Sequence, residues 1–127
     1  MIQFDQFAVT DGSPLYQQIL LYIKRGVAAG TIRDGDELPS RRVLSALLGV
    51  NPNTVQKAYR LLEEEGLIAS HSGAKSLMVL DREKAARVRE QLMESDAEAL
   101  ISAMRRMGVE KRQALELIDK LWNEETP

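Results

Sequence analysis

The sequence contains no cysteine and only one histidine, His71, among its 127 residues. It therefore offers no zinc constellation, no cysteine nucleophile and no disulfide. It has no stretch of about twenty apolar residues that could span a membrane, and no basic, apolar leader follows Met1. We expect a cytoplasmic protein with no membrane partner, no metal, no cofactor and no catalytic residue.

Charge is distributed unevenly along the chain. The formal net charge is −2, but residues 1–80 hold equal numbers of acidic and basic side chains. Within residues 38–62 every charged residue is positive: Arg41, Arg42, Lys57 and Arg60. Nucleic-acid binding depends on where charge lies and not on its total, so this segment is a candidate for contact with a polyanion.

The same segment predicts two short helices joined by a tight turn. The hydroxyl of Ser40 can cap the first helix, which Gly49 ends. Asn51 is a suitable N-cap for the second helix, and Pro52 suits its first position. We expect the apolar residues of the first helix to share one buried face: Val43, Leu44, Leu47 and Leu48.

The second helix has an apolar face and a polar face. Its inward residues are Val55, Ala58, Leu61 and Leu62, and Tyr59 beside them is expected in the core. Its outward residues are Asn53, Gln56, Lys57 and Arg60. Two short helices around a glycine-containing turn are the outline of a helix-turn-helix, whose second helix lies in the DNA major groove. There, amides pair with adenine, and lysine or arginine with guanine or phosphate.

Upstream of this motif the sequence predicts an arm, a helix and a short strand. Residues 1–12 are expected to pack as an arm, on their own subunit or on a partner subunit. Ser13 is expected to cap a helix over residues 13–29, with Pro14 in its first position. A turn-rich connector then leads to a short strand at residues 37–38.

Downstream, residues 67–70 and 77–80 predict a hairpin whose polar tip spans residues 71–76. The hairpin completes a winged helix. From Asp81 the sequence predicts a long helix to about Met107, and then a last helix over residues 110–122. The expected fold is therefore mainly α with a small β-hairpin.

We interpret residues 1–80 as a winged helix-turn-helix domain and residues 81–127 as a helical dimerisation region. Apolar residues of the tail could pack its two helices on each other within one chain. Because two helices alone bury little surface, a second copy of the chain is the expected partner. The expected contacts are Val88, Leu92, Ala99, Ala103, Met107, Leu117 and Leu121.

Residues 10–80 resemble the DNA-binding domain of the GntR family of bacterial transcriptional regulators. The resemblance rests on LPSxR at 38–42, LGVNxNTVxKAYxxLExEGLI at 48–68 and PLYQQI at 14–19. The short tail is similar to that of the YtrA-type subgroup. The resemblance implies a transcriptional regulator, which we expect to be a homodimeric repressor that binds double-stranded DNA. The two-fold axis of such a dimer predicts a palindromic operator, and the subgroup implies control of a transporter operon.

The resemblance also assigns DNA contacts, to Arg42, Asn53, Thr54 and Gln56, and the turn glycine of the wing to Gly73. The chain departs from the family at Pro52 and at Gln56, so the operator sequence cannot be inferred from better-known members. Arg41 replaces a common glutamate and adds a positive charge that can contact phosphate. The full set of expected DNA contacts is Ser40, Arg41, Arg42, Asn51, Asn53, Thr54, Gln56, Lys57, Arg60, His71, Gly73 and Lys75.

Two other functions are alternatives to DNA binding. Winged helices also bind proteins, but a protein-binding helix face would more often carry apolar anchors than this polar set. Some GntR relatives carry an aminotransferase domain, for which residues 81–127 are too few, so no enzyme is expected. An unknown small-molecule effector would bind at the dimer interface or between the domains.

Overall fold

A computed structural model describes residues 1–71 and 75–124 of the chain. These residues form helices and strands in the order α1 Leu15–Ala29, β1 Glu37–Leu38, α2 Arg41–Leu48, α3 Pro52–Glu64, β2 Ile68–His71, β3 Lys75–Met78, α4 Arg82–Arg106 and α5 Lys111–Glu124. The chain divides into two compact units, Met1–Glu90 and Gln91–Pro127. The predicted fold, mainly α with a small sheet, is confirmed.

The first helix begins later than the sequence predicted. Pro14 is extended, with φ −61° and ψ 144°, and acts as the N-cap, so α1 starts at Leu15. No side chain caps this helix, and the predicted capping role of Ser13 is wrong. The carbonyl oxygen of Ser13 instead accepts a 2.9 Å hydrogen bond from the side-chain amide of Gln18. Gly30, in the left-handed region at φ 82°, ends the helix as predicted.

The N-terminal arm, residues 1–12, packs on α1 and β1 of its own chain. The backbone N–H of Ile2 donates to the carbonyl of Glu37 at 2.7 Å. The hydroxyl of Tyr22, in α1, donates to the carbonyl of Gln3 at 2.7 Å. The rings of Phe4 and Tyr22 stack with 4.9 Å between their centroids. The arm is thus held on its own subunit, one of the two arrangements that the sequence left open.

The three strands form one antiparallel sheet in the order β1, β3, β2. The predicted hairpin and the short strand before α2 are confirmed. The strands of the hairpin reach further towards its tip than predicted, because pairing continues from Ile68 and Met78 to His71 and Lys75. Lys75 therefore lies in β3, and its predicted location in the turn is wrong.

The core of the first unit joins α1, α2, α3 and the sheet. Its largest fully buried side chains are Tyr59, Ile19, Ile23, Leu38, Leu44, Leu62, Met78 and Val55. Of the predicted inward residues of α3, Val55, Ala58 and Leu62 are buried and Leu61 is half-buried. The predicted core position of Tyr59 is confirmed. An ion pair with 2.7 Å between Lys24 Nζ and Glu65 Oε1 joins α1 to the end of α3.

The predicted apolar face of α2 is only partly correct. Leu44 is fully buried, but Val43 and Leu47 are 54% and 66% exposed. Ser45 is buried instead, and its hydroxyl donates a 2.6 Å hydrogen bond to the carbonyl of Val50. Since α2 has only eight residues and packs mainly on α3, it buries one narrow face and leaves the adjacent apolar side chains in solvent.

In the second unit, Gly108, at φ 73°, lies between α4 and α5. The predicted break between two helices after about Met107 is confirmed. The backbone N–H of Glu110 donates to the side-chain oxygen of Gln113 at 3.0 Å, just before α5 begins. No residue of α5 is buried. Among the described residues, no helix has both the length and the apolar character needed to cross a membrane.

Candidate nucleic-acid interface

Ser40 and Asn51 cap the two helices of the predicted motif. The Ser40 hydroxyl accepts the N–H of Val43 at 3.1 Å. The side-chain oxygen of Asn51 accepts the N–H of Asn53 at 2.8 Å, and Pro52 occupies the first position of α3. Both caps were predicted. They fix where α2 and α3 begin, and so determine which side chains of each helix face outward.

The outward face of α3 is polar and cationic. Asn53, Gln56, Lys57 and Arg60 are exposed, and Thr54 is half-buried. No acidic residue and no large exposed apolar residue interrupts this face between Pro52 and Arg60. The first three turns of α3 therefore present amides, which both donate and accept hydrogen bonds, next to two cations.

Lys57 lies over an aromatic ring that belongs to α1. Its Nζ is 4.0 Å from the ring centroid of Tyr16, well within the range of cation–π attraction. Tyr16 is half-buried. The sequence did not identify Tyr16 as part of this face, because a contact between α1 and α3 leaves no mark in the spacing of either helix.

Arg60 has a weak partner in its own helix. Its Nε lies 4.0 Å from Oε1 of Glu64, one turn later. Both side chains are more than half exposed, and ion pairs of this kind contribute little. Arg60 is therefore accessible to an anionic ligand.

Arg41, at the start of α2, is held against Tyr59 of α3. Its guanidinium carbon lies 5.2 Å from the ring centroid. The Nε of Arg41 is buried and has no hydrogen-bond partner among the described residues. Burial raises the pKa of the Tyr59 hydroxyl well above its usual range, and the positive charge of Arg41 opposes this rise. Arg42 is exposed beside Arg41, and the first turn of α2 contains no acidic residue.

The wing is described only in part. Lys75 is exposed at the start of β3. Gly73 lies outside the described residues, as does the side chain of His71. The contribution of these wing residues to a binding surface stays a prediction.

The predicted dimer residues differ in their exposure within one chain. Val88 and Leu92 are buried, and Ala103 is half-buried. The exposed ones are Ala99, Met107, Leu117 and Leu121. In the second unit, a groove of about 430 Å³ has a mainly apolar lining that includes Leu100, Ile101, Met104, Leu115 and Ile118.

Similarity to known protein families is concentrated in the first unit. The profile of the family described as "Bacterial regulatory proteins, gntR family" matches residues 15–76, from the first residue of α1 into β3. The chain is 44% identical over 73 residues to the HTH-type transcriptional repressor YtrA of Bacillus subtilis, an alignment that covers 58% of this chain and 54% of YtrA. The chain thus spans about half the length of this curated relative.

Two solved structures extend the similarity to most of the chain. A GntR family transcriptional regulator from Listeria monocytogenes is 32% identical and superposes with a TM-score of 0.78, covering 88% of this chain and 98% of its own. YtrA from Sulfolobus acidocaldarius, a GntR-family transcription factor, is 33% identical with a TM-score of 0.55, covering 75% of this chain and 95% of its own. The order and packing of the elements are therefore similar to those of known regulators.

Proposed function

The chain belongs to the GntR family of bacterial regulatory proteins, and on this premise we propose that it is a cytoplasmic, sequence-specific DNA-binding repressor that acts as a homodimer. The observation that carries the proposal is the outward face of α3, where amides and cations are exposed with no acidic residue up to Arg60. In a helix-turn-helix this face enters the major groove of DNA.

Gln56 is the residue that reads the DNA sequence in this proposal. Its exposed amide can donate and accept a hydrogen bond at once, which matches the edge of adenine in the major groove. Asn53 and Thr54 contact the DNA from the first turn of α3. Lys57 and Arg60 bind guanine or neighbouring phosphates.

Contacts to the DNA backbone come from the start of α2 and from the wing. Arg42 is exposed, and Arg41 is restrained by the ring of Tyr59. The Ser40 hydroxyl, which accepts a backbone N–H, still has its own hydrogen to donate to a phosphate. Phosphate contacts position the protein without specifying a sequence. The remaining contacts of this kind are assigned to Asn51, His71, Gly73 and Lys75.

The second unit supplies the dimer contact. Its helices leave large apolar side chains in solvent and bury almost none of them, so within one chain it has hardly any core. A second copy, packed over the apolar groove, would complete that core. The two-fold axis then predicts a palindromic operator whose half-sites lie about one helical turn apart.

Regulation is proposed by analogy with relatives. YtrA of Bacillus subtilis is named as a transcriptional repressor. Similarity to it supports repression as the function of this chain. Resemblance to its subgroup suggests a transporter operon as the target. An unknown small-molecule effector would act at the dimer interface, where it could change the spacing of the two α3 helices.

Fluorescence anisotropy with DNA from upstream of the protein's own gene tests the proposal. A scrambled duplex of the same composition is the control, and both are titrated at two salt concentrations. We expect the upstream DNA to bind at least about 10³-fold more tightly, with a steep loss of affinity as salt rises. Weak binding that does not distinguish any upstream duplex from the scrambled one would contradict sequence-specific binding.

A protein-interaction module is the second candidate, and one observation favours it. Val9, Val43 and Leu47 are each more than half exposed, and Val9 and Leu47 line a common depression on the first unit. Apolar side chains of this kind are the anchors that protein partners use. Equal, weak binding to both duplexes would favour this candidate, and the double change Val43→Ser and Leu47→Ser would then abolish partner binding in a pull-down.

A further inference from the structure

Tyr16, in the first turn of α1, carries the ammonium group of Lys57 above its ring, 4.0 Å from the centroid. We propose that Tyr16 is a further DNA-contacting residue, which positions Lys57 and donates its phenolic hydrogen to a backbone phosphate. The inference rests on the proposed function, because it assigns a role to Tyr16 at the DNA face.

The ring restrains a side chain that is otherwise free. No carboxylate pairs with Lys57 among the described residues. A lysine side chain loses much rotational freedom when it binds a phosphate. Because the ring of Tyr16 attracts the ammonium group before DNA arrives, part of this ordering is complete in the free protein.

The hydroxyl of Tyr16 can still donate a hydrogen bond. The side-chain amide of Gln17 donates to this hydroxyl at 3.3 Å, which occupies a lone pair of the oxygen. The phenolic hydrogen itself has no acceptor among the described residues. A phosphate oxygen only accepts hydrogen bonds, so it is the complementary partner.

The surroundings of Tyr16 suit a phosphate and not a base. Lys57 covers a face of the ring, so that face is closed to a stacked nucleobase. The first turn of α1 contains no acidic residue that would repel the DNA backbone. The hydroxyl group is thus the part of Tyr16 that can contact the nucleic acid, next to the ammonium group of Lys57 above the ring.

Anisotropy titrations of the full chain test the two roles separately, with the upstream and scrambled duplexes described above. Tyr16→Phe keeps the ring and removes only the hydroxyl. We expect it to weaken both duplexes by roughly fivefold, the size of one lost hydrogen bond, without changing the salt slope, since no charge is removed. Tyr22→Phe, a matched change in the same helix, is expected to leave both affinities within about twofold, because its hydroxyl already bonds to Gln3.

A double-mutant cycle tests the positioning of Lys57. We expect the effects of Tyr16→Leu and Lys57→Met to be non-additive. The fold loss of affinity in the double variant should be smaller than the product of the fold losses in the two single variants. A Tyr16→Phe protein with wild-type affinity would overturn the phosphate contact, and additive losses would overturn the positioning. A wild-type protein with no salt-dependent binding to either duplex would overturn the proposed function as well, which makes the two failures distinguishable.

Discussion

The hydroxyl of Tyr59, on α3, donates a 2.7 Å hydrogen bond to the carbonyl oxygen of Pro39, two residues before α2 begins. Both residues are buried. The bond ties the start of α2 to the helix that carries the proposed reading face. The same tyrosine ring lies under Arg41, so a single core residue contacts both the segment that leads into α2 and the cation at the start of α2.

Tyr59→Phe is expected to destabilise the protein by about 1–3 kcal/mol, because the buried carbonyl of Pro39 loses its partner. Tyr22→Phe removes a bond of the same length to the carbonyl of Gln3, but at an exposed position where water replaces it. The control should cost less than about 0.5 kcal/mol. Urea denaturation of both variants gives the two values, and similar losses would contradict a special role for the buried bond.

Tyr59 should also make the protein sensitive to alkali. Burial raises its folded-state pKa above the unfolded value of about 10, so the unfolded chain releases this proton first. The stability due to Tyr59 is complete below pH 10 and is lost as the pH rises further, by at most about 1.4 kcal/mol per unit. In Tyr59→Phe this loss is absent, so the free energies of unfolding of the two proteins should converge above pH 10. If the free energies of unfolding of the two proteins fell in parallel above pH 10, the alkali sensitivity would not come from Tyr59.

The arm depends on Gln18, a buried amide in α1. Its side-chain oxygen accepts the N–H of Thr10 at 2.8 Å, and its nitrogen donates to the carbonyl of Thr10 at 2.8 Å. Gln18→Ala is expected to cost about 1–3 kcal/mol and to speed chymotryptic cleavage after Phe4 and Phe7. Gln17→Ala, next to it but exposed, should leave the cleavage rate unchanged. Equal rates in the two variants would show that the arm is held by other contacts.

Features that depend on nearby residues were predictable from the sequence. The caps at Ser40 and Asn51 and the left-handed stop at Gly30 involve partners within five residues. The same local rule misled at Ser13, because Pro14 is itself extended and occupies the N-cap position, which leaves Ser13 one residue too early to cap the helix. A cap residue is therefore a reliable signal only where the position of the first helical residue is also known.

Features that depend on contacts between elements were not predictable. In α2 the apolar residues fall into two pairs spaced by four, on neighbouring faces, and only packing on α3 decides which pair is buried. Leu44 is buried, whereas Val43 and Leu47 are not. The pairing of Lys57 with Tyr16 is of the same kind, since it arises from how α1 packs on α3. The outward face of α3 was predictable because its long, regular pattern allows only one inward face.

Gln56 and Arg41 should contribute to DNA binding in different ways. Gln56→Ala is expected to cost about 1–3 kcal/mol at one base pair and to relax the choice of base there. Arg41→Ala should weaken all duplexes alike and reduce the salt slope by about one, because one phosphate contact is lost. Titrations against operator variants and random DNA separate the two effects. If Gln56→Ala lost affinity equally for operator and random DNA, the proposed orientation of α3 would be wrong.

Leu117 tests the proposed dimer. It is 45% exposed on α5, and in the proposed dimer it lies between the two copies. Leu117→Glu would bury an unpaired charge in that contact, which is strongly unfavourable. We therefore expect a monomer in sedimentation, and operator affinity lower by about 10²–10⁴-fold because the half-sites are no longer bound by one linked particle. Gln113→Glu adds the same charge to the same helix, but its carboxylate can still accept the N–H of Glu110, so this control should stay dimeric. If the Leu117→Glu protein sedimented as a dimer, the dimer interface would not include this face of α5.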